Sequence, residues 1–206
     1  MPVVRTSQEQ ALGGRSRGDA TRERLLEAAV ELLEEGGYSV ATVAAIAARS
    51  GVATGALYRH FPSKAELFVE VFRTVAEGEL EALYEASAVP GTVTDKLDAI
   101  VREYTGSAME RPQLSWALVY EPVDPLVDAE RLAYRQTYRE HLGGLLRLGI
   151  AEGELPDQDA ELTAASLIGA ISEALVGPLS PLGQERINEE QLADAVSSFC
   201  RRAIGA

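Results

Sequence analysis

The sequence has very few of the residues that most catalytic and metal sites use. It contains a single cysteine, Cys200, which excludes an internal disulfide and a zinc site built from several cysteines. Its only histidines are His60 and His141. The Gly144 to Gly149 spacing resembles that of a phosphate-binding loop, but Ile and Ala follow it where Lys and Ser or Thr are needed. The sequence therefore predicts a protein that is not an enzyme and that holds no metal or cofactor.

Long apolar segments are also scarce. No run of apolar residues approaches the roughly 18 that a membrane span requires. The first twenty residues contain several arginines and glycines without the apolar core of a secretory signal. Hydrophobic residues make up 46% of the chain and charged residues 25%, which is typical of soluble globular proteins. We therefore expect a cytoplasmic protein with no membrane partner.

Charge is distributed unevenly along the chain. The formal net charge is −13, yet residues 1–64 contain eight Lys or Arg and seven Asp or Glu, which leaves this part at +1. The remaining residues therefore carry −14. An acidic body is repelled by phosphates, so only the N-terminal part could approach a nucleic acid.

Apolar residues recur at helical spacing along most of the chain, and no stretch alternates with the period of a strand. Glycine, proline and capping residues separate the periodic segments. We predict helices from Thr21 to the Gly36-Gly37 pair, from Thr42 to Arg49, from Ala53 to His60, from the capping box Ser63–Glu66 onward, and over 93–110, 112–120, 125–151, 157–177 and 188–204. The predicted fold class is all-α.

The segment from Thr42 to Lys64 has the pattern of a helix-turn-helix unit. Two short helices are joined at Gly51, and small residues between them allow the first helix to pack closely across the second. Gly55 and Ala56 would leave the exposed face of the second helix low enough to enter a major groove. A plain helical hairpin without DNA binding is the alternative interpretation of this pattern.

The residues from Thr21 to Phe68 closely resemble the DNA-binding head of the tetracycline-repressor (TetR) family. Two positions depart from the family pattern: Ser50 replaces the usual Ala, and Ala53 replaces the usual Ser that caps the recognition helix. Thr54 is an alternative cap. The motifs that carry the resemblance are Leu26-Glu-Ala-Ala29, Ile46-Ala47, Gly51-Val52, the run Gly55-Ala56-Leu57-Tyr58-Arg59-His60-Phe61, and Ser63-Lys64 with Leu67.

The resemblance implies a ligand-responsive transcriptional regulator, most often a repressor. Such a protein binds a near-palindromic operator in double-stranded DNA as a homodimer and is released by a small-molecule effector, here unidentified. The implied architecture is a three-helix helix-turn-helix head that a fourth helix joins to a larger helical body. The implied domains are a flexible arm over 1–18, a helix-turn-helix DNA-binding domain over 19–65, and a helical ligand-binding and dimerisation domain over 66–206.

Side-chain chemistry divides the candidate DNA-binding residues into two groups. Hydroxyl groups, imidazole and ammonium suit contacts to phosphates that set the register, whereas small residues at the start of the recognition helix suit contacts to base edges. Arg59 could reach either a guanine or a phosphate. The predicted phosphate contacts are Thr42, Tyr58, His60 and Lys64, and the predicted base contacts are Thr54, Gly55 and Ala56.

The large amphipathic side chains of the body concentrate in the fifth to seventh helices. Such side chains line apolar pockets with a few polar groups, so the expected effector is small and largely apolar or aromatic. Ordinary core packing is the alternative for each of them. The candidates are Tyr104, Met109, Trp116, Tyr120, Tyr134 and Tyr138. Arg135, Arg139 and His141 could face an anionic group on the ligand or simply face solvent.

The last two helices carry small and apolar residues that permit close packing of another helix. Together they predict the two-helix contribution of each subunit to a four-helix dimer interface, with packing inside one subunit as the alternative. The candidate interface residues are Ala165, Ile168, Gly169, Ser172, Leu192, Val196 and Phe199. A helical ligand-binding or adaptor protein without DNA binding remains the second interpretation of the whole chain, and a gel-shift with its own upstream DNA would distinguish the two.

Overall fold

The computed structural model describes residues 17–182 and 187–206, and these residues form nine α-helices and no strand. The all-α prediction is confirmed. The helices are α1 (Arg17–Val40), α2 (Val43–Ser50), α3 (Thr54–His60), α4 (Lys64–Ser87), α5 (Val93–Glu110), α6 (Pro112–Val119), α7 (Pro125–Ala151), α8 (Ala160–Leu179) and α9 (Glu189–Ile204). Residues 1–16 of the predicted arm lie outside the described residues, and Arg17 and Gly18 belong to α1.

Helix α1 is interrupted at the predicted glycine pair. Gly36 leaves the helical conformation, and Gly37 has φ 67° and ψ −163°, a conformation that residues with a Cβ rarely adopt. A Cβ on Gly37 would also collide with the carboxylate of Glu121. That carboxylate accepts a hydrogen bond from the backbone N–H of Tyr38 at 3.2 Å. At this break, the end of α1 therefore contacts the segment that follows α6.

The core of the head is completed by a helix from later in the chain. Apolar side chains of α1 to α4 form one buried cluster, and Leu114, Ala117 and Leu118 of α6 belong to the same cluster. Periodicity does not reveal this packing because it shows which face of a helix is apolar without showing what covers it. The head and the body thus share a core across α6.

A second buried cluster lies in the body, where α5 and α7 pack against α4, and α8 and α9 pack against α5 and against each other. Helix α8 begins at the cap Asp159 and continues through Pro178, whereas the sequence predicted 157–177. Helix α8 is long and apolar enough on average to cross a membrane, although Glu161 and Glu173 interrupt its apolar residues, and a core helix of a soluble protein has the same length and composition. Only 33% of its most apolar window is buried, so much of this apolar helix faces outward.

Candidate functional sites

The helix-turn-helix unit is held by local hydrogen bonds. The Thr42 hydroxyl oxygen caps α2 by accepting a hydrogen bond from the backbone N–H of Ala45 at 3.1 Å. Gly51 ends α2 in the left-handed conformation, with φ 67°. Ala53 precedes α3 without any side-chain cap, and Thr54 is already the first helical residue. The alternative that Thr54 caps the recognition helix is therefore wrong.

One face of α3 points away from the head. Thr54, Gly55, Tyr58 and Arg59 are exposed, and their spacing of one and four residues places them on one side of the helix. A Cβ on Gly55 would meet no atom within 4 Å. The structure thus brings together two predicted base contacts, one predicted phosphate contact and the arginine whose role the sequence left open.

Two predicted DNA-contacting residues, Ala56 and His60, are less exposed to solvent. Ala56 is half-buried and packs against the core of the head, so the expectation that it belongs to the low exposed face is corrected. Ala56 directly precedes Leu57, which is fully buried, and therefore lies at the edge of the side of α3 that packs inward. His60 is also half-buried. Thr42 and Lys64 lie at the starts of α2 and α4, where Thr42 is exposed and Lys64 stays open to solvent on one side.

The positively charged side chains of the head differ in whether an ion pair already holds them. Arg22 is paired with Glu70, and Arg49 is paired with Glu31 and Glu35. Arg59 makes no hydrogen bond or ion pair within the described part of the chain. The Lys64 ammonium lies 5.2 Å from the centre of the Phe68 ring. Arg59 and Lys64 are therefore the cations of this surface that can reach a phosphate or a base without breaking an ion pair.

A cavity of about 350 Å³ lies in the body, between α4, α5, α6, α7 and α8. Its walls are mainly apolar, and Tyr104, Tyr134 and Tyr138 line it as candidate effector-binding residues. Tyr120 lines a small adjoining space and donates a hydrogen bond from its hydroxyl to the Ser172 carbonyl oxygen. This size and lining are typical of small-molecule sites.

Two candidate effector-binding residues lie elsewhere. Met109 and Trp116 line neither the cavity nor the space beside it, and both pack against the core of the body. The Trp116 ring stands 5.2 Å from the ring of Tyr120. Helical periodicity shows which residues of a helix face inward, but it does not show whether they border a cavity or pack against another helix, because a cavity depends on how several helices are arranged.

The positively charged residues of the cavity have different surroundings. The Arg131 guanidinium uses four of its five N–H donors, since it donates to the carbonyl oxygens of Ala117, Leu118 and Glu121 and pairs with Asp128. Arg135 lies at the exposed side of the cavity on α7 and makes no hydrogen bond or ion pair with any described residue. His141 lines the cavity as well, whereas Arg139 does not.

Glu79 was missed by the sequence analysis, although it lines the cavity, the space beside it and a groove on the other side of α4. The signal was present: Phe72, Ala76 and Leu83 form an apolar stripe at helical spacing, and Glu79 occupies the same stripe. The side chain is half-buried. Burial around the carboxyl raises the pKa of Glu79 to about 7, although the charge of Arg111 acts in the opposite direction.

Glu79→Gln is expected to stabilise the protein at neutral and alkaline pH. The pKa of Glu79 is higher in the folded than in the unfolded chain, so the wild type loses stability as the pH rises between about 4.5 and 7. Glutamine does not ionise and avoids this loss. At pH 8 the variant should be more stable by roughly 2–3 kcal/mol, and near pH 4 the difference should vanish.

Urea unfolding of both proteins from pH 4 to pH 8 measures this difference. Glu81→Gln is the matched control, because Glu81 is exposed on the same helix and its replacement should leave the curve unchanged. Parallel stability curves for Glu79→Gln and the wild type would show that the Glu79 carboxyl is not destabilised by burial.

An ion-pair network connects the cavity side of the body with the recognition helix. Glu130 of α7 pairs with Arg73 of α4, and Arg73 pairs with Glu70 at 2.9 Å. Glu70 in turn pairs with Arg22 of α1. The Arg22 guanidinium lies 5.1 Å from the centre of the ring of Phe61, the residue that ends α3. These contacts form a continuous chain of side chains from α7 to the end of α3.

The candidate dimer residues divide into three groups. Ser172, Leu192 and Val196 are buried within the subunit itself, which corrects their assignment to an intersubunit surface. Ile168 lines the cavity. Ala165 and Gly169 lie on α8, and Phe199 is exposed on the neighbouring α9. Because α8 is apolar on nearly all sides, its sequence could not show which face packs inward.

Family models match most of the chain. Residues 25–71 match the model described as bacterial regulatory proteins of the tetR family. Residues 90–204 match the model described as the C-terminal domain of tetracyclin repressor-like proteins. The two matched ranges contain the exposed face of α3 and most of the cavity wall.

Individual relatives and solved structures agree with these matches. The chain is 26% identical to the uncharacterised HTH-type transcriptional regulator YdeS of Bacillus subtilis over 198 residues, 91% of each chain. It is 29% identical to the HTH-type transcriptional repressor KstR of Mycobacterium tuberculosis over 152 residues, 73% of this chain and 67% of that protein. The crystal structure of FadR from Bacillus subtilis with stearoyl-CoA has a TM-score of 0.77 at 22% identity, covering 88% of this chain and 98% of FadR.

Proposed function

The chain belongs to the TetR family of bacterial regulatory proteins and is a DNA-binding transcriptional regulator. From this premise we propose that it is a cytoplasmic homodimeric repressor, which a small, largely apolar or aromatic effector releases from DNA. The exposed face of α3 is the observation that carries the proposal. Thr54, Gly55, Tyr58 and Arg59 form an exposed helix face of the kind that enters a major groove, and the exposed Lys64 and Thr42 are available for phosphates.

A symmetric dimer should bind a near-palindromic duplex with half-sites about 34–36 Å apart, because each recognition helix reads one half-site. If each subunit neutralises on the order of four phosphates, the log–log dependence of affinity on salt should have a slope of about −7. Selection of bound sequences from random duplex DNA, followed by titrations at several salt concentrations, tests both expectations. Binding that is insensitive to salt, or selection without a palindrome, would contradict the proposal.

The cavity supports the effector part of the proposal. Its apolar walls and its tyrosines Tyr104, Tyr134 and Tyr138 suit a largely apolar or aromatic ligand. The similar fold of FadR was solved with stearoyl-CoA, a ligand with a long apolar chain. We propose that these three tyrosines contact the effector, that Tyr120 and the adjacent Trp116 support the wall from the neighbouring space, and that Met109 belongs to the core of the body.

The ion-pair network offers a route from effector to operator. An effector that displaces α7 would pull on Glu130, and the pairs through Arg73 and Glu70 would transmit this movement to Arg22 beside α3. The same displacement would disturb the Arg131 contacts that hold the segment after α6. A change in the separation of the two recognition helices then lowers operator affinity, with a coupling of about 1–3 kcal/mol expected for such transitions.

The outward side of α8 supports homodimerisation. Leu162, Ser166, Gly169 and Glu173 follow one another at helical spacing along this side, and Leu162 is 65% exposed. Phe199 of the adjacent α9 is 48% exposed. Large apolar side chains that protrude beside small residues are the usual composition of a helix-packing surface. We propose that α8 and α9 of two subunits form a four-helix interface through this side.

A further inference from the structure

We propose that the effector carries a protonated amine for which Glu79 is the counter-ion, so that the cavity selects amphipathic cations over acids of the same chain length. This inference rests on the proposed function only in taking the body cavity as the effector site. It concerns the chemistry of the ligand, which neither the family nor the apolar walls determine.

The first argument is the position of the Glu79 carboxyl. The side chain lines the cavity, and the other residues of α4 that line it are apolar: Phe72, Ala76 and Leu83. Among the residues that the structure describes, none forms a hydrogen bond or an ion pair with it. A carboxylate in apolar surroundings destabilises a fold unless something compensates it. A ligand ammonium would supply the missing compensation through a charge-assisted hydrogen bond.

The second argument is that the competing positive charges of the cavity are satisfied or solvated. Four of the five N–H donors of Arg131 are engaged by the carbonyl oxygens of Ala117, Leu118 and Glu121 and by Asp128, so this guanidinium has little capacity left for a ligand carboxylate. Arg135 is exposed, and water and salt screen its charge far more than they screen a half-buried one. Glu79 is therefore the acidic side chain of the cavity wall that has no ion-pair partner among the described residues, and a bound ammonium would favour its ionised form.

The third argument is the charge behind the cavity wall. The groove between α1, α4, α5 and α6 shares Glu79 and Ser115 with the cavity. Its one cation, Arg111, is paired with Glu34 within the described residues. The other carboxylates that line this groove belong to Glu23, Glu27, Glu31 and Glu110. Glu31 is itself paired with Arg49, so the net potential of the groove is weaker than its number of carboxylates suggests, but its sign favours a cation near Glu79 over an anion.

The fourth argument is the aromatic lining. Tyr104 and Tyr138 meet edge to face, with ring centres 6.5 Å apart, and both line the cavity together with Glu79. The negative faces of aromatic rings attract ammonium groups, most strongly where water is excluded. A carboxylate beside two tyrosines thus combines the two interactions that proteins use to bind organic cations.

Three probes of one chain length test the proposal: dodecylamine, dodecanol and dodecanoate, titrated by calorimetry below their micelle-forming concentrations. Dodecylamine should bind the wild type at least about 10-fold more tightly than dodecanol, because a charge-assisted hydrogen bond is stronger than a neutral one. Dodecanoate should bind more weakly than dodecanol. In Glu79→Gln the advantage of the amine should disappear, while the affinity for dodecanol stays within about 2-fold, which shows that the cavity is intact.

Two matched variants separate Glu79 from charge in general. Glu81→Gln removes an exposed carboxylate from the same helix and should leave the preference for dodecylamine unchanged. Arg135→Gln removes the exposed cation of the cavity and should preserve or increase that preference. Equal binding of the three probes, tighter binding of dodecanoate, or an amine preference that survives in Glu79→Gln overturns the inference while leaving the cavity as an effector site. If no probe binds a protein that still binds operator, both the inference and the effector cavity are wrong.

Discussion

Gly169→Leu is expected to convert the dimer to monomer at micromolar concentration and to abolish high-affinity operator binding. Within one subunit, a Cβ on Gly169 would meet no atom within 4 Å, so the fold can accept the larger side chain. Leucine also favours a helix interior more than glycine does. Any loss must therefore come from contacts between subunits.

The size of this effect follows from symmetry. Inserting a large side chain into a packed interface costs about 1–3 kcal/mol, and a twofold interface contains the substitution twice. The dimerisation constant should weaken by roughly 30-fold to 10⁴-fold. A monomer holds one recognition helix and cannot bind both half-sites at once, so operator affinity should fall with it.

Gly78→Leu is the matched control. Gly78 lies in the interior of α4, is exposed, and likewise has open space within 4 Å of the point where a Cβ would stand. Gly78→Leu should unfold at or above the wild-type denaturant midpoint, and Gly169→Leu should keep the helical content of the wild type although it loses the stabilisation that the partner subunit supplies. Sedimentation velocity should then show a dimer for Gly78→Leu and a monomer for Gly169→Leu. A dimeric Gly169→Leu protein with wild-type operator affinity would place the interface on another surface.

Arg59→Ala is expected to weaken operator binding by at least about 30-fold and to remove the preference for one base in each half-site, since a bidentate contact to guanine contributes about 1–3 kcal/mol and the dimer makes it twice. Arg59 shares the exposed face of α3 with Thr54 and Gly55, and no described residue holds its guanidinium. We therefore propose that Arg59 contacts bases, a role that the sequence left open.

Two further variants distinguish base from phosphate contacts. Arg59→Lys keeps the charge but loses the planar fork, so it should lose most of the base preference as well. Lys64→Ala should weaken all sequences alike and make the salt slope shallower by about 2 per dimer. Repeating the selection from random DNA with each variant measures the preferences. Full affinity and unchanged preference in Arg59→Lys would show that Arg59 contacts a phosphate.

Local signals in the sequence were sufficient to predict where helices begin and end. Thr42 caps α2, Gly51 ends it, and Ser63 caps α4, as predicted. These signals are reliable because a cap or a left-handed glycine acts within four residues along the chain. The exposed face of α3 was predictable for the same reason, apart from Ala56. Leu57 lies on this short helix and Phe61 directly after it, and because both are buried, they mark the side of α3 that packs inward.

The sequence by itself thus determined the all-α fold, the helix-turn-helix unit and the surface proposed to face DNA. Only the tertiary structure decided which candidate residues of the body are available. Ser172 and Val196 are buried within the subunit, Gly169 has open space beside it, and Glu79 lines a cavity that four other helices complete. The physical reason is that hydrophobic burial is not directional. An apolar helix such as α8 can bury any of its sides, and its neighbours far away in sequence select the side that packs inward.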